Sequence, residues 1–356
     1  VRHAQGHHPR PGKPARHKIA LALQGGGAHG AFTWGVLDRL LEEDWLEIDG
    51  ISGTSAGAMN AMVMASGLAH DGVPGARRGL ESFWKSVSNA AMLSPFRRSP
   101  LDVLLGRWTL DHSPLFVIFD LAARVFSPYS FQAAGGNPLA DILNQQVDFA
   151  ALRETPIKLF VTATNVRTGL GRVFRNADLT VDAVLASACL PTLYQSVMID
   201  GEPYWDGGYT GNPTVTPLVR EGQAHDTILV QINPIERPGT PRSAREILNR
   251  LNEISFNSPL LKELRMIALL RQSLADGAGS NVKNRESQRW ACMRIHRISS
   301  DLMKELGYSS KLNAEWPFLC MLRDEGRRST QAFLETCGDA IGSHSSLDLK
   351  QMVGQW

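Results

Sequence analysis

The sequence predicts an α/β fold of three layers, α/β/α, around a mainly parallel central sheet, with a mainly helical C-terminal extension. Two successive strand, glycine-turn and helix units near the start point to the parallel sheet. Two later apolar runs rich in β-branched residues extend it, and a change to helical composition after residue 235 marks the extension.

The first strand is "KIALALQ" at Lys18 to Gln24, a short apolar run that ends in glycines. "AFTWGVLDRLLEEDW" then places Phe32, Val36, Leu37, Leu40 and Leu41 on one helical face. "IDGISG" is the second strand, and "SAGAMNAMVMASGLA" has the small and straight side chains of a buried helix. From Glu81 to Gln146 five prolines interrupt segments rich in aromatic residues, among them Phe83, Trp84, Phe96, Trp108, Phe116, Phe119, Phe126, Tyr129 and Phe131. Helices packed over the sheet account for that pattern; an apolar lid or acyl-chain wall is its functional alternative.

"IKLFVTATN" at Ile157 to Asn165 is the next strand, followed by turn chemistry at Gly169 and Gly171. "VMIDGEPYWDGG" has the form of a hairpin around Asp200 and Gly201, and "DTILVQINP" at Asp226 to Pro234 is a buried strand that closes the sheet. Beyond "ERPGTPRSAR" the pattern is helical, with Ser258 expected as an N-cap and Pro259 opening a second helix. "CMRIHRIS" is a candidate for one more strand. The expected division is a disordered basic tail over 1–16, a sheet domain over 17–235 and the extension over 236–356.

Lys and Arg number 37 and Asp and Glu 35, a net charge of +2 over 356 residues. Arg2, Arg10, Lys13, Arg16 and Lys18 all lie in the opening segment, so discounting those five takes the charge from +2 to −3. That distribution excludes a nucleic-acid-binding surface and leaves the tail a weak electrostatic contact with anionic lipid. No apolar run approaches the roughly 18 residues of a membrane span, and the tail lacks the apolar core of a signal peptide. Cys189, Cys292, Cys320 and Cys337 show no C-x-x-C pair or zinc spacing and are expected as buried thiols in a reducing compartment. The location expected is cytoplasmic, with peripheral contact at the inner membrane surface.

Three short motifs carry chemistry. "GGGAHG" at Gly25 to Gly30 satisfies G-x-G-x-x-G, which in a dinucleotide-binding unit would cradle a pyrophosphate, with Glu47 or Asp49 holding a ribose. "GTSAG" is G-x-S-x-G: Gly53 and Gly57 permit a sharp strand-to-helix turn that projects Ser55 above the sheet. A serine nucleophile needs backbone donors for its oxyanion, and Gly26 and Gly27 with Ala28 can supply them from the neighbouring loop. A base is also needed. Asp206 in "YWDGGYTGN", with Gly207 and Gly208 making the turn, is the sharpest candidate.

In that order, "QGGGAHG", "GTSAG" and "DGG" resemble the patatin-like phospholipases, serine acyl hydrolases that work with a Ser-Asp dyad. The resemblance covers roughly Ile19 to Pro234, supported by "TATNVRTGLGRVF", "ASACLPTLYQSV" and Asn212-Pro213. It implies a patatin-like catalytic domain over 17–235, Ser55 as nucleophile, Asp206 as base, and Gly25, Gly26, Gly27, Ala28, His29 and Gly30 as the oxyanion loop. No cofactor and no metal are implied, and the sequence shows no oxygen-ligand cluster at calcium-binding spacing. The expected partner is a lipid or other acyl ester. Many family members carry Arg or Lys where this chain has His29, a residue placed either at the surface of a helix start or close enough to tune the site.

The sequence leaves several functions open. Ser55, Asp206 and His225 fall in the order of an α/β-hydrolase triad, though only 19 residues separate the last two. The same Ser55 could serve an acyltransferase or thioesterase, and a non-catalytic membrane-binding module is a further class. "SFNSPLLKEL" and "EWPFLCMLRDEGRR" resemble the C-terminal extension of a bacterial subgroup of patatin-like proteins. Its helices have two surfaces open to them, the chain's own core or a second copy in a homo-oligomer.

Overall fold

The computed structural model describes residues 16–92, 97–130, 137–275 and 285–349. The expected basic tail, apart from Arg16, and the aromatic residues Phe96 and Phe131 lie outside them. Eight strands form one mixed sheet: β1 (His17–Leu23), β2 (Leu46–Gly53), β3 (Lys158–Asn165), β4 (Gly171–Arg175), β5 (Val197–Ile199), β6 (Glu202–Asp206), β7 (Asp226–Val230) and β8 (Arg294–Ile298). Their order is β5-β6-β3-β2-β1-β7-β8, with β4 also paired to β3. The run from β3 through β2, β1 and β7 to β8 is parallel, and β4, β5 and β6 are antiparallel additions. "CMRIHRIS" thus supplies the strand β8, which extends the central sheet beyond β7.

Helices in chain order are α1 (Gly30–Leu40), α2 (Ala56–Ala91), α3 (Pro100–Leu104), α4 (Pro114–Val125), α5 (Pro138–Gln146), α6 (Phe149–Glu154), α7 (Val181–Ser187), α8 (Thr216–Glu221), α9 (Ala244–Ala275), α10 (Arg285–Cys292), α11 (Leu302–Glu305) and α12 (Trp316–Cys337). Alternation along β1 sorts them into two layers. Ile19, Leu21 and Leu23 join a core with Phe32 and Val36 of α1, Met62 of α2, and Phe318 and Leu322 of α12. Ala20 and Ala22 face the opposite layer, where Leu218 of α8, Leu260 and Leu264 of α9 and Trp290 of α10 pack.

The C-terminal region is therefore built into both layers. Helices α1 and α12 cross in backbone contact, since a Cβ at Gly35 would lie 1.9 Å from the Arg323 carbonyl and one at Gly326 would lie 2.1 Å from that of Phe32. Only side-chain-free positions permit that approach.

Three features depart from expectation. Span α2 is two helices joined at a kink: the first ends close to Ala69, where Asp71 and Gly72 leave helical geometry, and a second, which the sequence did not suggest, runs on through Pro74 and packs Leu80, Phe83 and Trp84 on the core. Ser258 and Pro259 do not begin a helix: α9 passes through them, held on one side by buried Leu260, Leu264 and Ile267. Of the four cysteines only Cys189 is buried, and Cys292 is exposed.

Strand register puts β6 in line with β2. Phe160 pairs with Ser52 of β2 and with Arg175 of β4, so those two strands flank opposite edges of β3. Thr164 pairs with Gly171 of β4 and with Trp205 of β6, so β6 also lies opposite β4. Strand β6 therefore takes over the edge of β3 that β2 leaves at Gly53.

Candidate active site

Three loops meet where β1 and β2 end and β6 takes over. Ser55 is the N-cap of α2, with φ 53° and ψ −123°. A positive φ is unfavourable for a residue with a Cβ and is the strained strand-to-helix turn that exposes a serine hydroxyl. The surroundings hold it there. Ser55 N–H donates to Ser187 Oγ at 2.9 Å, Gly57 N–H donates to Thr54 O at 2.9 Å, and Thr54 Oγ1 donates to Gly211 O at 2.7 Å. Close packing of the elbow against β1 explains Gly57, where a Cβ would lie 2.3 Å from Leu23 O.

Asp206 ends β6. Its N–H donates to Cys189 O at 2.8 Å, its carbonyl accepts from Thr164 Oγ1 at 2.8 Å, and its Oδ1 accepts the Gly208 N–H at 2.7 Å. The Ser55 side chain is near enough to this carboxylate to lower its pKa. Asp206 is 1% exposed, and burial pushes its pKa up to about 7; the Gly208 N–H, the Ser55 hydroxyl and the positive charge of Lys311 pull the other way. Gly207 is tied to this position, for a Cβ there would meet Thr162 O at 1.9 Å.

The glycine loop is locked from both ends. Gly25 N–H donates to Asn212 Oδ1 at 2.7 Å, and Gly25 O accepts from Asn233 Nδ2 at 2.8 Å. Gln24, wholly buried, accepts the N–H groups of Ile232 and Asn233 and donates to Asn257 Oδ1 at 3.2 Å. The N–H of His29 goes to Gly26 O, and that of Gly30 to the carbonyls of Gly27 and Ala28. Of the six loop residues, Gly26, Gly27 and Ala28 are those whose N–H groups meet no acceptor among the described residues.

His29 does not lie at the surface. It is 2% exposed, its Nε2 is 2.8 Å from Ser310 Oγ, and its ring meets Phe318 edge-on. Burial, then the charges of Lys311 and Arg237, hold its pKa well below the usual histidine range, so the ring is neutral. Its side chain is a packing and hydrogen-bonding element toward the C-terminal region.

Neither the His225 triad nor the ribose-binding acids survive the geometry. His225 is exposed and immediately precedes β7, at the edge of the parallel sheet where the strands begin; Ser55 follows the end of β2. The sheet separates them, so no Ser55-Asp206-His225 triad forms. Asp49 sits at the β1/β2 irregularity, where its carboxylate accepts the Ala224 N–H at 3.1 Å, and Glu47 pairs with Lys18. Neither acid reaches the glycine loop, which removes the ribose-binding pattern.

Residues that local motifs did not single out complete the site. Ser187 holds the Ser55 N–H from the end of α7. Phe256 of α9 lies against Gly208 and 5.1 Å from the Tyr209 ring centroid. Among the described residues, no group of His, Cys, Asp and Glu is arranged to hold a metal ion.

The family model described as patatin-like phospholipase matches residues 21–219, a span that holds all three loops. The chain belongs to the patatin-like phospholipase family. Among curated proteins, the uncharacterized protein YjjU of Escherichia coli is 28% identical over 254 residues, 69% of this chain and 60% of that protein. The uncharacterized NTE family protein Mb1092c of Mycobacterium bovis is 27% identical over 242 residues, 66% of this chain and 55% of that protein. The chain thus spans a little over half the length of these two relatives. Among solved structures, VipD from Legionella pneumophila matches with 14% identity and a TM-score of 0.31, over 88% of this chain and 67% of that one.

Proposed function

We propose that the protein hydrolyses a lipid acyl ester through Ser55 and Asp206. The observation that carries this reading is the approach of Ser55, on the turn after β2, to Asp206 at the end of β6, a carboxyl that burial pushes up to about 7. A carboxylate of ordinary pKa is a poor acceptor for a serine proton; one raised to neutrality is matched to the task.

As Ser55 Oγ attacks the ester carbonyl carbon, its proton passes to Asp206 and the carbonyl π pair moves onto oxygen. The N–H groups of Gly26, Gly27 and Ala28 receive that oxyanion. The first turn of α2 directs its dipole to the same place. Collapse of the intermediate expels the alcohol, which takes the proton back from Asp206, and leaves an acyl ester on Ser55. Water then attacks that ester, gives its proton to Asp206, and the proton returns to Ser55 Oγ as the acid departs.

A lipid substrate is supported by exposed apolar side chains. Leu115, Ile118 and Leu121 of α4 are 54%, 63% and 58% exposed at i, i+3, i+6 spacing, and Ile247, Leu251 and Ile254 form a similar stripe on α9. Stripes of that kind suit contact with an aggregated lipid. The test compares wild type with Ser55→Ala by fluorophosphonate labelling and by acids released from a mixed lipid extract. Labelling and release in wild type alone support the reading. Neither in wild type would overturn it.

A further inference from the structure

The glycine loop has a partner nearly 300 residues away. Residues Tyr308–Leu312 form a short turn that packs on Gly27–His29. Gly27 has φ 58°, and a Cβ there would lie 2.4 Å from the Lys311 carbonyl, while Ser310 Oγ meets His29 Nε2 at 2.8 Å. Lys311 Nζ donates to Asn233 Oδ1 at 2.7 Å, and the Nδ2 of the same amide donates to Gly25 O at 2.8 Å. Gly25 in turn packs against Ser55, since a Cβ on it would lie 2.7 Å from Ser55 Cβ. One chain of contacts therefore runs from the Lys311 ammonium to the serine elbow.

We propose that Lys311 is a positioning residue of this site: anchored on Asn233, it fixes the Gly25 peptide beside Ser55 and holds its positive charge in the surroundings of Asp206. The inference rests on the Ser55-Asp206 reading for its catalytic consequence, and on the contacts of Lys311 with Asn233 and of Asn233 with Gly25 for its geometry. The charged and titratable groups around the ammonium are Asp206, Glu253, Arg237, His29 and the Tyr308 ring, whose centroid lies 5.8 Å away. Around Asp206 they are Lys311, Cys189 and Tyr209. Cys189 and Tyr209 are pushed up by burial to about 11 and about 12, and His29 is neutral, so none of these three brings a compensating charge near neutral pH. Burial lowers Lys311 itself to about 8, with Glu253 and Asp206 opposing and Arg237 assisting.

In wild type, kcat/KM should rise with ionisation of Asp206 near pH 7 and should fall as Lys311 loses its proton near pH 8. Lys311→Met moves the acidic limb to higher pH, by about one unit for a nearby opposite charge. The variant also has no alkaline limb at that position. Lys311→Arg keeps the acidic limb where it was and also loses the alkaline one, because an arginine does not titrate there. A residue that merely packs would lower activity or Tm without moving either limb. Independently of turnover, the Asp206 carboxyl of the full chain is titrated by carbon-13 NMR in wild type and Lys311→Met; an upward shift in the variant supports the inference, and coincident curves overturn it. Failure of the hydrolase reading would show separately, as wild-type turnover no greater than that of Ser55→Ala.

Discussion

Asp206 stands directly beyond Gly53 along one edge of β3, their partners Ala163 and Val161 two residues apart. Because β6 continues the edge that β2 vacates, the turn after Gly53 and the end of β6 must face each other. The approach of Ser55 to Asp206 is thus set by sheet register and does not depend on the two side chains. Either can be changed without removing the backbone that presents it.

Asp206→Asn exploits that independence. Turnover should fall by on the order of 10³-fold, the usual contribution of a positioned base, while stability rises. The folded-state pKa of Asp206 is raised to about 7, so the native form keeps a proton that the unfolded chain releases from about pH 4 upward. With more protons bound in the native state, stability declines as pH rises across that window and stays lower above it. The amide escapes the decline. Its Tm should exceed that of wild type by a margin that grows from about pH 5 to pH 8; an equal Tm at both ends would contradict a buried carboxylate of raised pKa.

Gly27→Ala tests the loop. Its left-handed φ of 58° and the 2.4 Å approach to Lys311 O leave no place for a methyl group without moving the peptides that offer free N–H groups. Displacement of an oxyanion donor by about 1 Å lowers rate on the order of 10²-fold. Slow fluorophosphonate labelling with an intact circular dichroism spectrum is the expected result, and wild-type labelling would exclude these donors.

How much of the fold and the site is legible in the sequence depends on how local each constraint is. Gly25 to Gly30, Gly53, Gly57, Gly207 and Gly208 stand out because tight turns and close approaches demand glycine within a few residues of the chemistry. Lys311, Asn233 and Asn257 are ordinary polar residues in sequence, and their meaning comes from pairing across long chain distances. His29 shows the same limit: its partner Ser310 is 281 positions away, and nothing near it signals burial. Asp71-Gly72 breaks the helix as its propensity leads one to expect, whereas at Pro259 packing on Leu260 and Leu264 carries α9 through.

Asp226→Asn addresses a second polar cluster, at the end of the sheet away from Ser55. Asp226 accepts two hydrogen bonds from Arg294, one from His296 at 3.0 Å and one from the Gly342 N–H. Burial would raise its carboxyl, but these partners together hold it well below the usual range. A depressed folded pKa stabilises above the unfolded value and is lost as pH falls, so acid unfolding should draw on this cluster below about pH 4. The substitution should destabilise by about 3 kcal/mol, as loss of one partner from a buried pair does. Acid sensitivity should shrink while kcat/KM of the folded fraction is retained.

Removal of the chain after residue 235 is the broadest prediction. The family match ends at residue 219, a span that on its own points to a shorter, self-sufficient catalytic unit. Packing argues otherwise. Such a truncation strips β8 from β7, takes Phe318, Leu319 and Leu322 from the core shared with α1, and exposes Gly35 where α12 crossed. It also removes Phe256 from Gly208 and Lys311 from Asn233, two supports of the loops that meet at Ser55. An exposed apolar helix face and a new open sheet edge lead to aggregation. Residues 1–235 should therefore appear in the insoluble fraction, or as a species with no cooperative thermal transition and no fluorophosphonate labelling. A soluble, labelled fragment would show that the C-terminal region is dispensable for both fold and site.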